Sequence, residues 1–520
     1  MAVRIGTANE AALAERRGAA MLSALVFTAG IGAMTTEISA SRLLAPYYGS
    51  STAVWANIIG LVLASLSLGY WLGGRLADRH PSRRLLGLLV VLAGAGIAAT
   101  PFVARPFLDL AATGVDDASA GVVIGSFVGS LVLFAPTVTL LGAVAPFAIR
   151  LGIDDVRTAG ATAGRIFALS TAGSLLGTFV PALVTIPLVG TQRTLLGAGA
   201  LVALGGSFLL GVRWAVVAAA LASLLAIPPG AVKAVPGLLY ERESLYQYVQ
   251  VVQRGEERYL YLNEGVAKHS IWRPDNVLTG GEWDMFLAVP PLLGRPVQRV
   301  AILGNAAGTT ARAMGVFYPG ASIDGVELDP AVTEVGRRFF GLGDNPRLRV
   351  FTADARPFLR STRRRYDLIF VDAYRQPYVP FYLATQEFFR LAREHLRADG
   401  AIALNVATVP GDHRLAEGIA GTLATEFPQV ITWQALRFNQ LVVGLTRPAP
   451  RPVLEGRLGR GPRRLRVLSR LLAAQMQPAA PSRDPWTDDR APVEWITDRM
   501  IVRYAAAGGE LDEDLLPTAP

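Results

Sequence analysis

Four features of the C-terminal half sit where apolar runs end and could act together: the small-residue turn Gly304–Gly308 and the carboxylates Glu327, Asp354 and Asp372. A turn made of Gly304, Asn305, Ala306, Ala307 and Gly308 lets a ligand approach backbone N–H groups closely. Glu327, about 20 residues further on, stands where a carboxylate accepts from both hydroxyls of a ribose. These are the contacts a nucleoside requires. A glycine turn alone would carry little, but carboxylates recurring at successive strand ends have no packing reason to be there.

From Val300 apolar runs alternate with amphipathic stretches, the signature of a parallel sheet covered by helices. The pattern predicts strands over Arg299–Gly304, Ser322–Asp329, Leu348–Asp354, Tyr366–Tyr374 and Ala401–Ala407, a helix from about Thr309, and a closing hairpin from VITWQAL and LVVGLT. Ligands bind such sheets at the carboxyl ends of the strands, where the four features lie.

The chain has 520 residues and is 51% hydrophobic, high for a soluble protein, and the excess sits almost wholly between Ala19 and Pro228. A hydrocarbon core of roughly 30 Å takes about 20 apolar residues in a helix. Crossings are expected near Ala19–Ser41, Thr52–Gly73, Leu85–Ala104, Gly121–Ile149, Ile166–Val189 and Thr194–Val212. The first is too long, and too soon followed by the next, for a cleaved signal peptide. Residues 1–237 carry 15 Lys+Arg against 9 Asp+Glu and the remainder 35 against 32, so the net charge of +9 does not mark the C-terminal half as a nucleic-acid binder. With no Cys there is no disulfide, thiol nucleophile or thiolate metal site, and four scattered His do not suggest a structural zinc site. No metal is expected.

Orientation follows the Arg bias of the short loops. Arg4, Arg16 and Arg17 precede the first crossing; Arg75, Arg79, Arg83 and Arg84 fill the second loop; Arg150, Arg157 and Arg165 the fourth. The alternate loops hold only Arg42, Arg105 and Arg193, with Asp109, Asp116 and Asp117 in the third. The N-terminus is therefore expected in the cytoplasm. Six crossings return the chain there, whereas a seventh at Trp214–Ile227, which runs into Pro228 and Pro229, would export the C-terminal domain away from its cofactor. That short stretch is expected to be re-entrant, interfacial or packed inside the bundle. Glu37 is an intramembrane carboxylate or an interfacial partner near Arg42.

Several motifs now bear on family. SLYQ at Ser244–Gln247, LNEGVAKHS, VELD, TADARPFL and YDLIFVDAY resemble, in order, segments of the spermidine synthases, and the whole chain resembles bacterial proteins in which a membrane bundle is fused to such a domain, the ending TDDRAPVEW being similar to the tail of those fused members. GGRLADRHPSRR, Gly73–Arg84, is similar to a cytoplasmic loop of major-facilitator transporters, and its Asp78 could bond a helix end or an Arg across the bundle. The resemblance implies an α-helical transmembrane bundle of six to seven helices followed by an α/β Rossmann-like, methyltransferase-type domain with a small N-terminal β-hairpin domain. The expected divisions are a cytoplasmic tail (1–18), the bundle (19–229), a β-rich part (238–296), the nucleoside-cofactor domain (297–447) and a Pro/Arg-rich linker and tail (448–520). Arg447–Arg470 reads as a mobile linker, a cytoplasmic-surface contact or a plain solvated loop.

It implies, further, that Gln247, Gly304, Asn305, Ala307, Gly308, Glu327, Asp354 and Ala355 hold decarboxylated S-adenosylmethionine, with Glu327 on the ribose and Asp354 on the adenine amine. Asp372 would be the base that takes a proton from an attacking amine. Glu282, Asp284 and Tyr374 are the expected acceptor contacts. The chain also departs from the family. Ala307 replaces the Asp that pairs with the cofactor's terminal amine, Arg375 a second Asp after the base, Lys268 a hairpin Gln, and Glu282-Trp283-Asp284 the family's Y-H-E. Lys268 and Arg375 weaken attraction for a dication, so putrescine is not a safe acceptor.

Three readings stand. The first is a membrane-bound polyamine aminopropyltransferase acting on a small amine. The second is transfer of a methyl or aminocarboxypropyl group from S-adenosylmethionine itself. The third is a non-catalytic sensor of cofactor or polyamine that gates a transporter-like bundle. The bilayer is the expected environment, in the cell membrane with the catalytic domain cytoplasmic, and a homo-oligomer is compatible with the sequence. The lack of native Cys permits a clean test of orientation: of single cysteines placed at Ser82, Ser119 and Ser361, only Ser119→Cys should react with an impermeant reagent added to intact cells. Labelling at position 361 would mean that Trp214–Ile227 crosses.

Overall fold

The computed structural model describes residues 2–48, 52–113, 119–153, 155–228, 232–263, 267–374 and 378–508. Arg375, Asp116, Asp117, Pro229 and residues 264–266 of the LNEGVAKHS motif lie outside them, as do the side chains of Arg4, Arg16, Arg17, Asp109 and Ser119. The chain divides into two compact units, a helical one to Ala234 that also takes in Glu243–Tyr248, and an α/β one of Val235–Arg242 and Val249 onward.

In the helical unit, among the described residues, five helical runs are long and apolar enough to cross a membrane: Gly18–Tyr48, Val54–Arg79, Arg83–Leu108, Ala135–Gly152 and Val156–Leu210. The last is two helices, for Gly190 breaks the helical geometry with a φ of 84° that suits only a residue without a Cβ, and Thr194 Oγ1 beyond it donates to Thr185 Oγ1 at 3.0 Å. The break falls between the spans expected over Ile166–Val189 and Thr194–Val212. The span expected over Gly121–Ile149 is broken into Ser119–Leu133, Ala135–Gly142 and Val144–Gly152. Trp214–Ile227 lies in a shorter apolar stretch, Val212–Ala226. Helices Arg83–Thr113 and Ile186–Leu210 touch backbone to backbone, for a Cβ on Gly94 would stand 2.5 Å from the Ala203 nitrogen. Small residues at helix contacts are what close packing in lipid requires. Asp78 pairs with Arg150 at 3.4 Å, joining the second of the five helices to the fourth.

The α/β unit begins with a four-stranded sheet in the order β1 (Leu238–Glu243), β2 (Tyr248–Arg254), β3 (Glu257–Leu262), β4 (Lys268–Trp272), antiparallel from β2 to β4. A second sheet of eight strands follows: β5 (Arg299–Leu303), β6 (Ser322–Glu327), β7 (Leu348–Thr352), β8 (Tyr366–Val371), β9 (Leu396–Ala407), β10 (Gln429–Leu436), β11 (Asn439–Leu445) and β12 (Gln477–Ala479). Its spatial order is β12-β10-β11-β9-β8-β5-β6-β7. The strands from β9 to β7 run parallel, while β11, β10 and β12 add an antiparallel edge. Because β6 and β7 lie on one side of β5 and β8 and β9 on the other, the chain reverses direction across the sheet between β5 and β8. That switch point opens the crevice in which such sheets bind ligands.

Alternation along the central strands sends side chains to two buried faces. Val300, Ile302, Leu368 and Phe370 join a core with Phe286 and Leu292, whereas Ala301, Leu303, Ile369 and Val371 join another with Phe358, Phe388 and Leu415. The stretch after Arg447 departs from the linker reading. It forms helices Arg451–Leu458 and Arg466–Gln475, whose Leu454, Leu458 and Leu472 are buried in the first core, and β12 extends the sheet. Apolar residues spaced along these helices outweigh the Arg and Pro that suggested a loop. Helix Val493–Ala506 buries Val493 in the second core, and the segment before it is tied down by Arg356, which grips both oxygens of Asp488 at 2.7 and 2.6 Å.

Candidate active site

The turn after β5 is set by crowding. Gly304 has φ 88°, and a Cβ there would overlap the Asp372 carbonyl oxygen and the backbone of Ala373. Gly308, at φ 95°, then opens helix Thr309–Phe317. All five turn amides already have acceptors within the protein. Gly304 and Asn305 donate to the Val326 carbonyl (3.0 and 2.9 Å), Ala306 to Glu327 Oε2 (2.9 Å), Ala307 to Ser270 Oγ (3.0 Å) and Gly308 to the Asn305 carbonyl (2.9 Å). The turn therefore does not present the free N–H groups expected of it. What it holds ready is Asn305, whose side-chain Nδ2 and Oδ1 are buried without a hydrogen bond in the protein. Buried polar groups in that state call for a polar partner. Ala307 is fully buried among Val249, Leu260, Val332 and Phe340.

Glu327 ends β6. Its oxygens accept from Ala306 and Asp329 N–H (2.9 and 3.0 Å), and burial, opposed by those hydrogen bonds, pushes its carboxyl up to about 7. Asp354 follows β7 and caps helix Ala355–Ser361, accepting from Arg356 N–H (3.1 Å) and from the Tyr382 hydroxyl (2.8 Å); Ala355 is buried behind it. Gln247 closes the turn Ser244–Gln247, where Ser244 Oγ accepts from the Tyr246 and Gln247 N–H groups at 3.0 Å.

Asp372 follows β8. Asn405 Nδ2, from β9, donates to its Oδ1 at 3.0 Å, and Trp283 adds a second side-chain hydrogen bond. Burial dominates these two and pushes the carboxyl up to about 6. The Tyr374 hydroxyl donates to the Asn405 carbonyl (2.8 Å), and burial, with the charges of Asp372 and Glu282 nearby, raises its ionisation well above the usual range.

Asp372, Tyr374, Glu282 and Ala306 line one cavity of about 180 Å³. Asp284 does not. Its carboxylate turns away to the loop before its helix, accepting from Thr279 N–H (3.1 Å) and Gly280 N–H (2.7 Å), so the expected acceptor contact is a structural clamp. Lys268 lines the cavity, its ammonium 5.8 Å from the centre of the Tyr259 ring, within cation–π range. Sequence reasoning missed Asn405, Phe438, Thr497, Met500 and Ile501, which also face the cavity. Asn405 left a signal, a lone amide in the apolar run IALNVA; the other four left none.

Residues 283–434 match the Spermine/spermidine synthase domain. The chain's relatives include a protein named "Probable polyamine aminopropyl transferase" from Bifidobacterium longum (strain NCC 2705), 35% identical over 192 residues, covering 36% of this chain and 42% of that protein. Another is the "Polyamine aminopropyltransferase" of Mycobacterium tuberculosis (strain CDC 1551 / Oshkosh), 27% identical over 439 residues, 77% of this chain and 80% of the relative. That alignment is longer than the α/β unit, so it takes in part of the helical one. Among solved structures, a probable spermidine synthase from Corynebacterium glutamicum ATCC 13032 aligns at 17% identity with TM-score 0.38, covering 55% of this chain and 100% of that one. The chain spans 42%, 58% and 60% of the length of the first three curated relatives it matches.

Within the matched segment Glu327 gives a direct test. Glu327→Gln removes a charged acceptor, a hydrogen bond worth roughly 1.5 to 3 kcal/mol, so a calorimetric titration of the full chain with methylthioadenosine should show about tenfold to a hundredfold weaker binding. Because the charged form prevails above about 7, wild-type binding should strengthen as pH rises through that value and the Gln variant should lose this dependence. Unchanged affinity would remove Glu327 from the site.

Proposed function

We propose that the protein is a membrane-bound, multi-pass aminopropyltransferase whose donor is decarboxylated S-adenosylmethionine and whose acceptor is a small amine. The observation that carries this reading is Asp372: a half-buried carboxylate at the switch point, facing a cavity, and held by two neutral donors. A cation at that place would pin the carboxyl in its ionised, weakly basic state. Neutral donors orient it and leave it able to take a proton.

The step asked of it is simple. The acceptor's nitrogen forms a bond to the carbon beside the sulfonium, the carbon–sulfur bond breaks, and its electron pair leaves with a neutral thioether. Asp372 accepts the proton that the nitrogen loses. Tyr374 and Glu282 stand beside it in the cavity, the carboxylate of Glu282 suited to hold the incoming ammonium. Glu327, Asp354 and the unpartnered amide of Asn305 are assigned to the nucleoside of the donor. Gly304, Gly308 and Ala355 would complete that site, with Gly304 and Gly308 acting through turn shape. The apolar runs, the last of them broken in two at Gly190, and the Arg bias of their loops support insertion in the cell membrane with an even number of crossings and the catalytic domain cytoplasmic.

Asp372→Asn tests the base. It keeps volume and strand-end geometry, so turnover should fall about a hundredfold to ten-thousandfold with little change in donor affinity. In the wild type kcat/KM should rise as pH climbs through about 6, where the carboxyl loses its proton; the Asn variant should lack that limb and recover partly at high pH, where more amine is already neutral. Methylthioadenosine release is the measurement. An Asn variant that turns over like wild type would make Asp372 a structural strand-end carboxylate.

A further inference from the structure

The cavity beside Asp372 is built from walls of different chemistry. One wall carries both of its carboxylates: Asp372, hydrogen-bonded to Trp283, and Glu282, the residue preceding Trp283 in the chain. Both act on the Tyr374 phenol, so they share one neighbourhood. A second group of lining residues is Val409, Phe438, Met500 and Ile501, the last two from helix Val493–Ala506, with the neutral Thr408, Asn439 and Thr497 near them in the chain. No acidic residue joins them among the described lining residues. The helix does hold Asp498, but that carboxylate bonds the Tyr378 hydroxyl and does not line the cavity. A third wall is Lys268 and His269.

A diamine needs an acid for each ammonium, set apart by the length of its chain. Here both acids serve the reacting nitrogen's end, and a second ammonium would meet apolar side chains, the uncharged Thr408, Asn439 and Thr497, or Lys268, with no carboxylate to neutralise it among the described lining residues. An ammonium taken from water without a partner is costly to bury, whereas a hydrocarbon tail on the same wall is stabilised by leaving water. At about 180 Å³ the space is also below the roughly 300 to 1,000 Å³ of drug-sized ligand sites, so the occupant is small.

We propose that the acceptor is a small monoamine with an apolar tail, its nitrogen at Asp372 and Glu282 and its tail on Val409, Phe438, Met500 and Ile501. This rests on the transferase reading above. The test compares pentylamine with 1,4-diaminobutane, which has the same number of heavy atoms but a second ammonium in place of the methyl. The full chain in detergent micelles receives decarboxylated S-adenosylmethionine and each amine, and methylthioadenosine release is followed. Pentylamine should have the higher kcat/KM by about tenfold or more. Met500→Glu should move the ratio of the two toward the diamine by a similar factor, and Ile501→Glu gives a second reading of the same wall if the first variant does not fold. A wild type that prefers the diamine overturns the acceptor class and leaves the transferase reading standing. Release with neither these amines nor a wider amine panel overturns the transferase reading, and the acceptor with it.

Discussion

The backbone of Asp372 passes so close to Gly304 that no Cβ fits between them. That contact holds the ends of β5 and β8 together at the point where the sheet changes direction, and the rest of the site follows from it. The chain leaving β5 must turn with a positive φ, which places Ala306 within reach of Glu327. The chain leaving β8 must carry Asp372 past the last ladder residue, where Asn405 from the next strand and Trp283 can reach its carboxylate. A side chain larger than hydrogen at position 304 would push apart the turn and the carboxylate it accompanies.

In a protein this rich in Arg, several buried acids are neutralised. Asp324 pairs with Arg364 at 2.6 Å and Glu426 with Arg390 at 2.9 Å. Asp367 is held below the usual carboxylate range although burial opposes it, because Arg299 and Gln298 N–H groups and Arg295 all bond it. Asp372 and Glu327 are the contrast. Glu327 is buried and Asp372 half-buried, both with neutral donors, and both are pushed up, Asp372 to about 6 and Glu327 to about 7. Groups that titrate near neutrality for lack of a cation are suited to proton transfer and to ligand binding, and their placement at strand ends around one switch point gives the pair a common purpose.

The parts of the site that could be read from sequence are those fixed by local pattern. Glu327 and Asp372 end or follow strands buried almost throughout, β6 and β8, and Asp354 follows the half-exposed β7. What could not be read arrives from far along the chain. Met500 and Ile501 meet a cavity whose base lies more than a hundred residues earlier, and nothing in their local sequence marks them. Asp284 looked like Glu282 in sequence, but their positions in one short helix send one carboxylate into the loop and the other to the cavity. Turn chemistry also misled, since the amides of Gly304–Gly308 are satisfied internally and only the Asn305 side chain is left over. In the helical unit, hydropathy gave the apolar segments, including the two on either side of Gly190, but not the breaks that divide the span expected over Gly121–Ile149 into three helices.

The central claim is that Asp372 is a carboxylate kept basic by burial and neutral donors. Infrared titration of the full chain in detergent, taken as the difference between wild type and Asp372→Asn, isolates this one group by its protonated C=O stretch. The account predicts a band that disappears with a midpoint at about 6 as pH rises. A midpoint near the ordinary aspartate value of about 4, or no band in the difference, would contradict it.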